Sequence, residues 1–390
     1  QLPNSGLSAF LGRVKEGNTD VYRTKFYNNS QSHKDVAKVL GDWNTQLISI
    51  KEQYPDMYQF ECDLRSKVGP TSVMKPLDDR LDDVRHYYDD ILLPSEPIHR
   101  KAIAEVVDEW GPSRRGLMMK TRDDTIEKMR KSTNSGLPFF ANRKDVLGDT
   151  TFVSESNNGR AFMYHMKPDS PYEDGTYVPC AILGWRGQEG GPEDDDVKQR
   201  VVWMFPMEIN IRELQVYQPL IEHCQQFKHV PAWVSMDDVD AEVTKLFDTK
   251  DPDDLVVCTD FSKFDQHFNP DMQRASLEII YQMFTKGHTY DEDHWDAGGI
   301  RTWLHEIFPI KYNIPLMLQL DMVKTGSHGM ASGSGGTNAD ETLAHRALQH
   351  EAALLNHAEL NPHSMCLGDD GILSYPGITV SDVMESYTSH

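Results

Sequence analysis

The chain has 390 residues, more than the ~250–300 at which a single hydrophobic core stops growing, so we expect several packed units or one large enzyme with subdomains. Hydrophobic residues make up 38% and aromatic residues 9%, which excludes wholesale disorder, and no uncharged apolar run reaches the ~18 residues of a membrane-spanning helix, so no membrane association is expected. The net charge of −22 argues against a nonspecific nucleic-acid binder, although a whole-chain charge does not describe a local groove.

The cysteine content indicates a reducing compartment. None of the five cysteines belongs to a Cys-x-x-Cys pair, and they lie far apart, at Cys62, Cys180, Cys224, Cys258 and Cys366. This spacing excludes a zinc ribbon and argues against a disulfide framework. No signal peptide opens the chain, and because it starts with Gln1 rather than Met we expect a missing or processed natural N-terminus.

The first third of the chain is polar and predicts helices and loops. Residues 1–95 form an N-terminal layer of this kind, with one helix over 35–54. A second helical pattern over 98–109 ends at Gly111 and Pro112. The next stretch is basic inside an acidic protein and predicts either a solvated helix face or a basic surface; its cations are Arg114, Arg115, Lys120, Arg122, Lys128, Arg130 and Lys131.

The middle of the chain mixes strands and helices. Residues 148–197 are rich in Gly, Pro, Asn and Asp, which predicts short strands and long loops. A strand is predicted over 201–205, and helices over 207–226 and 239–247. The apolar, β-branched run over 255–259 is typical of a buried strand.

The last third ends in a predicted hairpin. Residues 271–308 are mostly helical in pattern, and a glycine-rich stretch over 326–336 precedes a helix over 338–355. Two short apolar runs, 364–367 and 372–375, flank the sequence Gly-Asp-Asp-Gly, which predicts a β-hairpin with a tight acidic turn. Strands and helices are mixed without strict βαβ alternation, so the predicted class is α+β.

Three carboxylates indicate a metal site. Asp260 ends the predicted strand over 255–259, and Asp369 and Asp370 lie on the hairpin turn between Gly368 and Gly371. Adjacent aspartates repel each other, and a hard cation such as Mg²⁺ or Mn²⁺ relieves that repulsion. If the two strands pair, the carboxylates suit two ions ~3.5–4 Å apart, an arrangement used in phosphoryl transfer. An isolated Gly-Asp-Asp is also ordinary turn chemistry, so its neighbours must decide.

The neighbouring segments carry a family resemblance. Asp260-Phe-Ser-Lys-Phe-Asp265 places two carboxylates five positions apart, and Ser332-Gly-Ser-Gly-Gly-Thr-Asn338 opens the helix that precedes the acidic hairpin. In this order the three segments resemble the palm motifs A, B and C of viral RNA-dependent RNA polymerases. Their amino-acid sequences are most similar to those of the polymerases of picobirnaviruses, small double-stranded RNA viruses.

Two weaker motifs agree with this resemblance. The segment from Thr133 through Gly136 to Pro138 is similar to the family's motif G, which implies that these three residues contact the template strand. Lys198-Gln199-Arg200 resembles motif F, whose cations contact the incoming nucleotide, and Arg186 is a candidate upstream member. With the basic stretch over 113–131, these residues predict a positive tunnel inside an acidic exterior.

The resemblance implies a right-hand polymerase that replicates and transcribes a viral, double-stranded RNA genome. Two Mg²⁺ ions, replaceable by Mn²⁺, would be bound by Asp260, Asp369 and Asp370, the catalytic residues. The implied partners are RNA template and product, NTPs and viral capsid protein, and the implied locations are the virion interior and the host cytoplasm. The implied nucleotide-binding residues are Lys198, Arg200, Asp265, Ser332, Gly333, Thr337 and Asn338.

The resemblance also divides the chain. It implies an N-terminal extension over 1–95, fingers over 96–205, palm with motif A over 206–275, a fingers insertion over 276–320, and palm with motifs B and C over 321–390. In the family, motifs D and E and a thumb follow motif C, and the motif D lysine has no counterpart here. We therefore expect the thumb to be largely absent from this chain and the natural protein to continue past His390.

One position departs from the family pattern. Many relatives have an asparagine four residues after the motif B threonine, which here is Thr337. That position is Glu341, and an asparagine, Asn338, directly follows Thr337 instead. The sequence therefore leaves open which residue is the partner of Asp265.

Other functions fit fewer of these features. A reverse transcriptase usually has a bulky aromatic residue in place of Asp265, whereas an aspartate can accept a hydrogen bond from a ribose 2′-hydroxyl. A two-metal nuclease or phosphatase does not explain the segment 332–337. A P-loop NTPase would need Gly-Lys-Ser/Thr after the glycine-rich stretch. A non-catalytic relative would be expected to lose an acidic ligand, and all three are present.

Overall fold

The computed structural model describes residues 4–23, 33–67, 71–113, 117–147, 151–157, 160–165, 176–186, 199–285 and 299–390. Helices and strands are mixed along this part of the chain, which confirms the predicted α+β class. Within the same ranges, every helix is too short or too polar to cross a membrane. The five cysteines are all free thiols.

The helices are, in chain order, α1 (Ser5–Glu16), α2 (His33–Ser49), α3 (Pro55–Lys67), α4 (Leu81–Asp89), α5 (Arg100–Trp110), α6 (Arg122–Lys128), α7 (Arg143–Val146), α8 (Met207–Gln226), α9 (Met236–Thr249), α10 (Phe264–His267), α11 (Pro270–Thr285), α12 (Ile300–Glu306), α13 (Thr337–Leu355) and α14 (Val380–Thr388). The strands are β1 (Asn18–Arg23), β2 (Thr71–Met74), β3 (Thr151–Asn157), β4 (Arg160–His165), β5 (Thr176–Tyr177), β6 (Ala181–Gly184), β7 (Val202–Met204), β8 (Val257–Asp260), β9 (Leu316–Gln319), β10 (Met322–Lys324), β11 (Met365–Leu367) and β12 (Asp370–Leu373).

The N-terminal part is helical, as predicted. Helix α1 begins after Asn4, whose side chain accepts hydrogen bonds from two backbone N–H groups of the first turn, and it buries Leu7, Leu11 and Val14. The sequence missed the antiparallel pair of β1 and β2, because the polar segment Asn18–Arg23 lacks the apolar alternation that marks a strand.

A four-stranded sheet, in the order β10-β9-β6-β7, supports one side of the candidate site. All four residues of β6 are buried, and this strand pairs in parallel with β9, which follows it by more than 130 residues. Its other neighbour is β7, the strand predicted over 201–205. This pairing fixes the position of Arg200, which immediately precedes Val201 at the start of that segment.

A three-stranded antiparallel sheet, in the order β11-β12-β8, supports the other side. Its hairpin confirms the one predicted around the acidic turn. The strand predicted over 255–259 is present as β8, but its predicted burial is wrong: Val257 is buried, whereas Leu255 and Cys258 are exposed. Strand β8 lies at an edge of its sheet, where only β12 is its neighbour among the described strands, and an apolar composition does not by itself place a strand in the interior.

Helix α13 packs against α5, α11, α14 and β11. The sequence predicted this helix over 338–355, one residue later than its start at Thr337. Small residues such as Ala344 and Ala347 allow close packing on one side. Several of its polar residues are also buried; they are Asp340, Glu341, Thr342, His345, Arg346, Gln349 and Glu351.

Candidate active site

Strand pairing brings two of the predicted metal ligands together. The Cα register places Asp370 directly opposite Asp260, so both carboxylates leave the sheet on the same face. Side chains opposed in this way have Cβ atoms about 4.5–5.5 Å apart, and like charges there are destabilising. Asp369 lies on the turn just before Asp370. All three side chains are exposed, and none forms a hydrogen bond or salt bridge with another described residue.

The charges of these aspartates affect one another. The pKa of Asp370 is raised, first by partial burial and then by the negative charges of Asp369 and Asp260. Exposed carboxylate oxygens without protein partners are a donor set that suits Mg²⁺. Within the described ranges, no three His, Cys, Asp or Glu side chains are grouped closely enough to hold a metal ion by themselves. Magnesium sites commonly use one or two carboxylates plus substrate phosphates, so the two-ion arrangement stays a prediction.

The glycine-rich loop over 332–336 packs against β7. The hydroxyl of Ser332 donates a 3.1 Å hydrogen bond to the carbonyl of Val201. A Cβ atom on Gly333 would lie 1.4 Å from the carbonyl oxygen of Trp203, so only glycine allows the two backbones to approach this closely. The structure therefore joins the F-like and B-like segments, which are 130 residues apart.

A buried glutamate that the sequence did not reveal holds the same loop. Glu213 on α8 accepts hydrogen bonds from the hydroxyl of Ser334, from the backbone N–H of Gly335 at 3.2 Å and from the side-chain amide of Asn210 at 3.2 Å. Burial raises the pKa of Glu213, and the positive charge of Lys311 opposes that rise. Nothing in the helical pattern over 207–226 distinguished this glutamate from a surface residue.

Asp265 lies between the glycine-rich loop and α13. Its backbone carbonyl accepts a 2.8 Å hydrogen bond from the N–H of Met330. Its carboxyl group lies beside that of Glu341, and two such groups can form a hydrogen bond only if one of them is protonated. Burial raises the pKa of both groups, and the charge of Arg200 opposes the rise at Asp265. Glu341 is therefore the partner that the sequence left open.

The remaining nucleotide-site candidates lie around these residues. The hydroxyl of Thr337, at the start of α13, donates to the carbonyl of Ser334 at 3.2 Å. The side-chain oxygen of Asn338 accepts a 2.7 Å hydrogen bond from the indole N–H of Trp233. Arg200 is exposed, and its carbonyl accepts a 3.3 Å hydrogen bond from buried Arg80. Lys198 lies outside the described residues.

The predicted template loop packs at the end of β7. The carbonyl of Ser135 accepts a 2.8 Å hydrogen bond from the N–H of Met207, and Gly136 lies against the carbonyl of Phe205. The carbonyl of Thr133 accepts a 3.0 Å hydrogen bond from the N–H of Arg143. Pro138 lies in the turn that these bonds close. The loop therefore lies at the end of the strand whose start follows Arg200.

Three cations of the basic stretch over 113–131 are paired with glutamates of α8. Lys120 and Lys128 both contact Glu222, at 2.5 and 2.9 Å, and Arg122 contacts buried Glu208 at 2.9 Å. These three cations attach α6 and its flanking chain to α8, so their charges are already paired. Arg114 and Arg115 lie outside the described residues.

Comparison with known proteins decides the family. The family model for viral RNA-dependent RNA polymerase matches residues 113–386. The potential RNA-dependent RNA polymerase of a human picobirnavirus (strain Human/Thailand/Hy005102/-) is 50% identical over 390 residues, which cover 100% of this chain and 69% of that protein. The chain belongs to the viral RNA-dependent RNA polymerases.

Comparison with solved structures supports the same family assignment. The polymerase matches the crystal structure of the RNA-dependent RNA polymerase of a human picobirnavirus with a TM-score of 0.87 and 48% identity, over 100% of this chain and 70% of that one. The insertion-loop deletion mutant of a human picobirnavirus polymerase matches with a TM-score of 0.88 and 48% identity, over 100% and 72%. A Sicinivirus polymerase, 14% identical with a TM-score of 0.54 over 76% and 61%, shares the fold.

These matches confirm the predicted resemblance to picobirnavirus polymerases and the predicted enzyme class, an RNA-directed RNA polymerase. The polymerase therefore binds RNA and nucleotides and synthesises RNA. The roles of individual site residues and the boundaries between fingers, palm and the N-terminal extension stay predictions.

Proposed function

We propose that the polymerase joins ribonucleotides by two-metal phosphoryl transfer, with Asp260 and Asp369 holding two Mg²⁺ ions and Asp370 assisting. Manganese could replace magnesium, because both ions prefer oxygen ligands. One observation supports this most directly: the register of β8 and β12 sets Asp370 opposite Asp260, with Asp369 on the adjoining turn. When bound, the ions lower the pKa of a primer 3′-hydroxyl and neutralise triphosphate charge.

Two isosteric variants test this proposal. Asp260→Asn and Asp369→Asn should each abolish nucleotide incorporation while RNA binding stays largely intact, because an amide keeps the shape and loses the charge that binds the cation. Extension of a primed template with four NTPs and Mg²⁺ measures the first quantity, and filter binding measures the second. Asp237→Asn, at an exposed position on α9, is the control. Activity within tenfold of wild type in either site variant contradicts the proposal.

Asp265 is the proposed selector of ribose over deoxyribose. Its carboxylate can accept a hydrogen bond from a 2′-hydroxyl, and the hydrogen bond from Glu341 would hold it in place. Glu341 would then do in this chain what an asparagine does at the matching position of many relatives. A protonated glutamate donates one hydrogen bond, as an asparagine amide can.

The nucleotide would lie against the glycine-rich loop. Arg200, with Lys198, would stabilise the charge of the triphosphate, since guanidinium groups bind phosphate oxygens strongly. Because Trp233 already occupies the side-chain oxygen of Asn338, the amide N–H groups of that residue are the ones free to reach a nucleotide. The other proposed contacts come from the loop and the first residue of α13: Ser332, Gly333 and Thr337.

The template strand would run past Thr133, Gly136 and Pro138. Their loop is fixed against the end of β7, so it could guide the template toward the nucleotide held near Arg200 on the same segment. Backbone positions suit this role, because phosphate contacts position a strand without reading its sequence.

The biological setting follows from the likeness to picobirnavirus polymerases. The polymerase would replicate and transcribe a double-stranded RNA genome, in the virion interior and the host cytoplasm. Viral capsid protein would be its protein partner. Co-sedimentation of the polymerase with capsids assembled from the same virus's capsid protein tests the partner, and a polymerase that stays in the supernatant contradicts it.

A further inference from the structure

Two side chains of α13 hold the first residue of the acidic turn. The backbone N–H of Gly368 donates a 2.9 Å hydrogen bond to the hydroxyl oxygen of Thr342. Its carbonyl accepts a 2.8 Å hydrogen bond from Nδ1 of His345. Positions three apart on a helix lie on one face, so one face of α13 binds both backbone polar groups of Gly368. Gly368 has a φ of +56°, a backbone conformation that residues with a side chain rarely adopt.

The imidazole of His345 also reaches the strand that ends in Asp260. The ring is fully buried, and burial lowers its pKa to about 4, so it is neutral. A carbonyl oxygen only accepts, so Nδ1 carries the proton and Nε2 is left as an acceptor. The hydroxyl of Thr259 lies 3.4 Å from Nε2. One ring thus connects α13, the acidic turn and β8.

Close packing fixes the orientation of this ring. A Cβ atom on Gly371 would lie 2.7 Å from Nε2 of His345 and 2.5 Å from the hydroxyl oxygen of Thr259, so the ring lies directly on the backbone of β12. Phe261 and Tyr387 contact the ring edge-on, with centroids 5.0 and 5.7 Å away. The histidine therefore has little freedom to rotate away from the turn.

We propose that Thr342 and His345 are positioning residues that hold Asp369 and Asp370 opposite Asp260 before a metal ion binds. The inference rests on the proposed metal site. Three unpaired carboxylates repel one another, and a turn held only by the chain would relax away from that repulsion. Hydrogen bonds from a rigid helix keep the turn in its binding geometry, so less of the metal's binding free energy is lost in ordering it. Losing such supporting partners costs metal sites about ten- to a hundredfold in affinity.

Replacing Thr342 with valine is the first test, because valine keeps the shape and removes the hydroxyl. We expect Thr342→Val to bind Mn²⁺ about tenfold or more weakly than wild type, measured by the electron paramagnetic resonance signal of free Mn²⁺ during titration of the full chain. Thr125→Val is the matched control: Thr125 is also buried in a helix, and its hydroxyl donates to the carbonyl four residues earlier, as that of Thr342 does. Thr125→Val should bind Mn²⁺ as wild type does.

Asp369→Asn separates the two proposals. If Asp369→Asn binds Mn²⁺ as wild type does, the proposed metal site is wrong. If Asp369→Asn loses binding while Thr342→Val keeps it, the metal site stands and the positioning role is wrong. In RNA synthesis, raising the Mg²⁺ concentration should restore Thr342→Val toward wild-type rate and leave Asp369→Asn inactive. A Thr342→Val rate that does not respond to Mg²⁺ also contradicts the positioning role.

His345 is tested by rescue. Asparagine can place its amide N–H near Nδ1 of the histidine, whereas leucine fills similar space and cannot donate. His345→Asn should therefore retain at least several-fold tighter Mn²⁺ binding than His345→Leu, with melting temperatures of both variants measured to show that they fold. Equal Mn²⁺ affinity in the two folded variants would overturn the role of the hydrogen bond to Gly368. If His345→Leu does not fold, the Thr342 comparison decides alone.

Discussion

Replacing Lys311 with methionine tests whether the glycine-rich loop depends on a buried ion pair. The ammonium of Lys311 lies 3.0 Å from a carboxylate oxygen of Asp340, and neither side chain is exposed to solvent. Asp340 also accepts hydrogen bonds of 2.7 Å from the hydroxyls of Tyr217 and Tyr312. Lys311 further opposes the raised pKa of Glu213, the residue that holds the loop. The substitution therefore affects two buried carboxylates.

The expected loss of stability follows from what each variant leaves unpaired. Removing one partner of a buried ion pair costs about 3–5 kcal/mol, because the remaining charge stays buried. Lys311→Met should lie near the lower limit, since two tyrosine hydroxyls still donate to Asp340. Asp340→Ala should lie near the upper limit, since three donors lose their acceptor. The double variant Lys311→Met/Asp340→Ala should cost less than the sum of its two single variants, because neither charge remains.

Chemical unfolding of the full chain measures these losses, and the KM for NTPs reports whether the loop loosens. Lys245→Met is the control: its ammonium lies 2.7 Å from Glu242 on α9, but the lysine is 55% exposed, and surface pairs contribute at most about 1 kcal/mol. If Lys311→Met loses no more stability than Lys245→Met, burial does not strengthen this pair and the reasoning fails. Additive single variants would refute the coupling between Lys311 and Asp340.

Three further outcomes are expected. Asp265→Ala should lower catalytic efficiency with NTPs more than with dNTPs, by roughly ten- to a hundredfold for a lost charged hydrogen bond of ~1.5–3 kcal/mol; an equal fall with both substrates would assign Asp265 a structural role. Arg200→Ala should impair all four NTPs similarly in single-nucleotide incorporation, since phosphate carries no base identity, and a defect for one base would indicate template contact instead. The pKa of Glu341 is raised in the folded chain, first by burial and then by its neighbours Asp265, Asp369 and Asp340. Wild-type stability relative to Glu341→Gln should therefore be greatest at low pH and fall as the pH rises through that pKa, and a difference in melting temperature that does not change with pH contradicts this.

Local patterns in the sequence predicted much of the fold. The helix over 207–226 has the bounds observed for α8, and the acidic hairpin forms where the Gly-Asp-Asp-Gly turn indicated. Both depend on residues that are neighbours along the chain, so periodicity and turn chemistry were enough. The opposition of Asp260 and Asp370 could also be anticipated, because a strand end and a hairpin carrying acidic residues suggested one shared site.

The supports of the site could not be predicted in this way. Glu213 and Lys311 are separated along the chain by 98 positions, and in the sequence each looks like an ordinary surface residue. Thr342 and His345 were read only as part of a helix, because their partner Gly368 follows more than 20 residues later. A buried polar residue is recognised by what surrounds it, and a single sequence does not contain that information. The predicted burial of β8 was wrong for the same reason, since the exposure of a strand depends on which other parts of the chain pack against it.

The pairing of β8 with β12 also determines when the proposed metal site can form during synthesis of the chain. Asp260 and Asp370 belong to one sheet but are separated by 110 positions. Translation at about 5–20 residues per second leaves the first strand without its partner for roughly 5–20 s. The parallel pairing of β6 with β9 imposes a similar delay on the sheet that carries the F-like segment. The proposed metal site therefore cannot form on the nascent chain before the segment that contains Asp370 has been made.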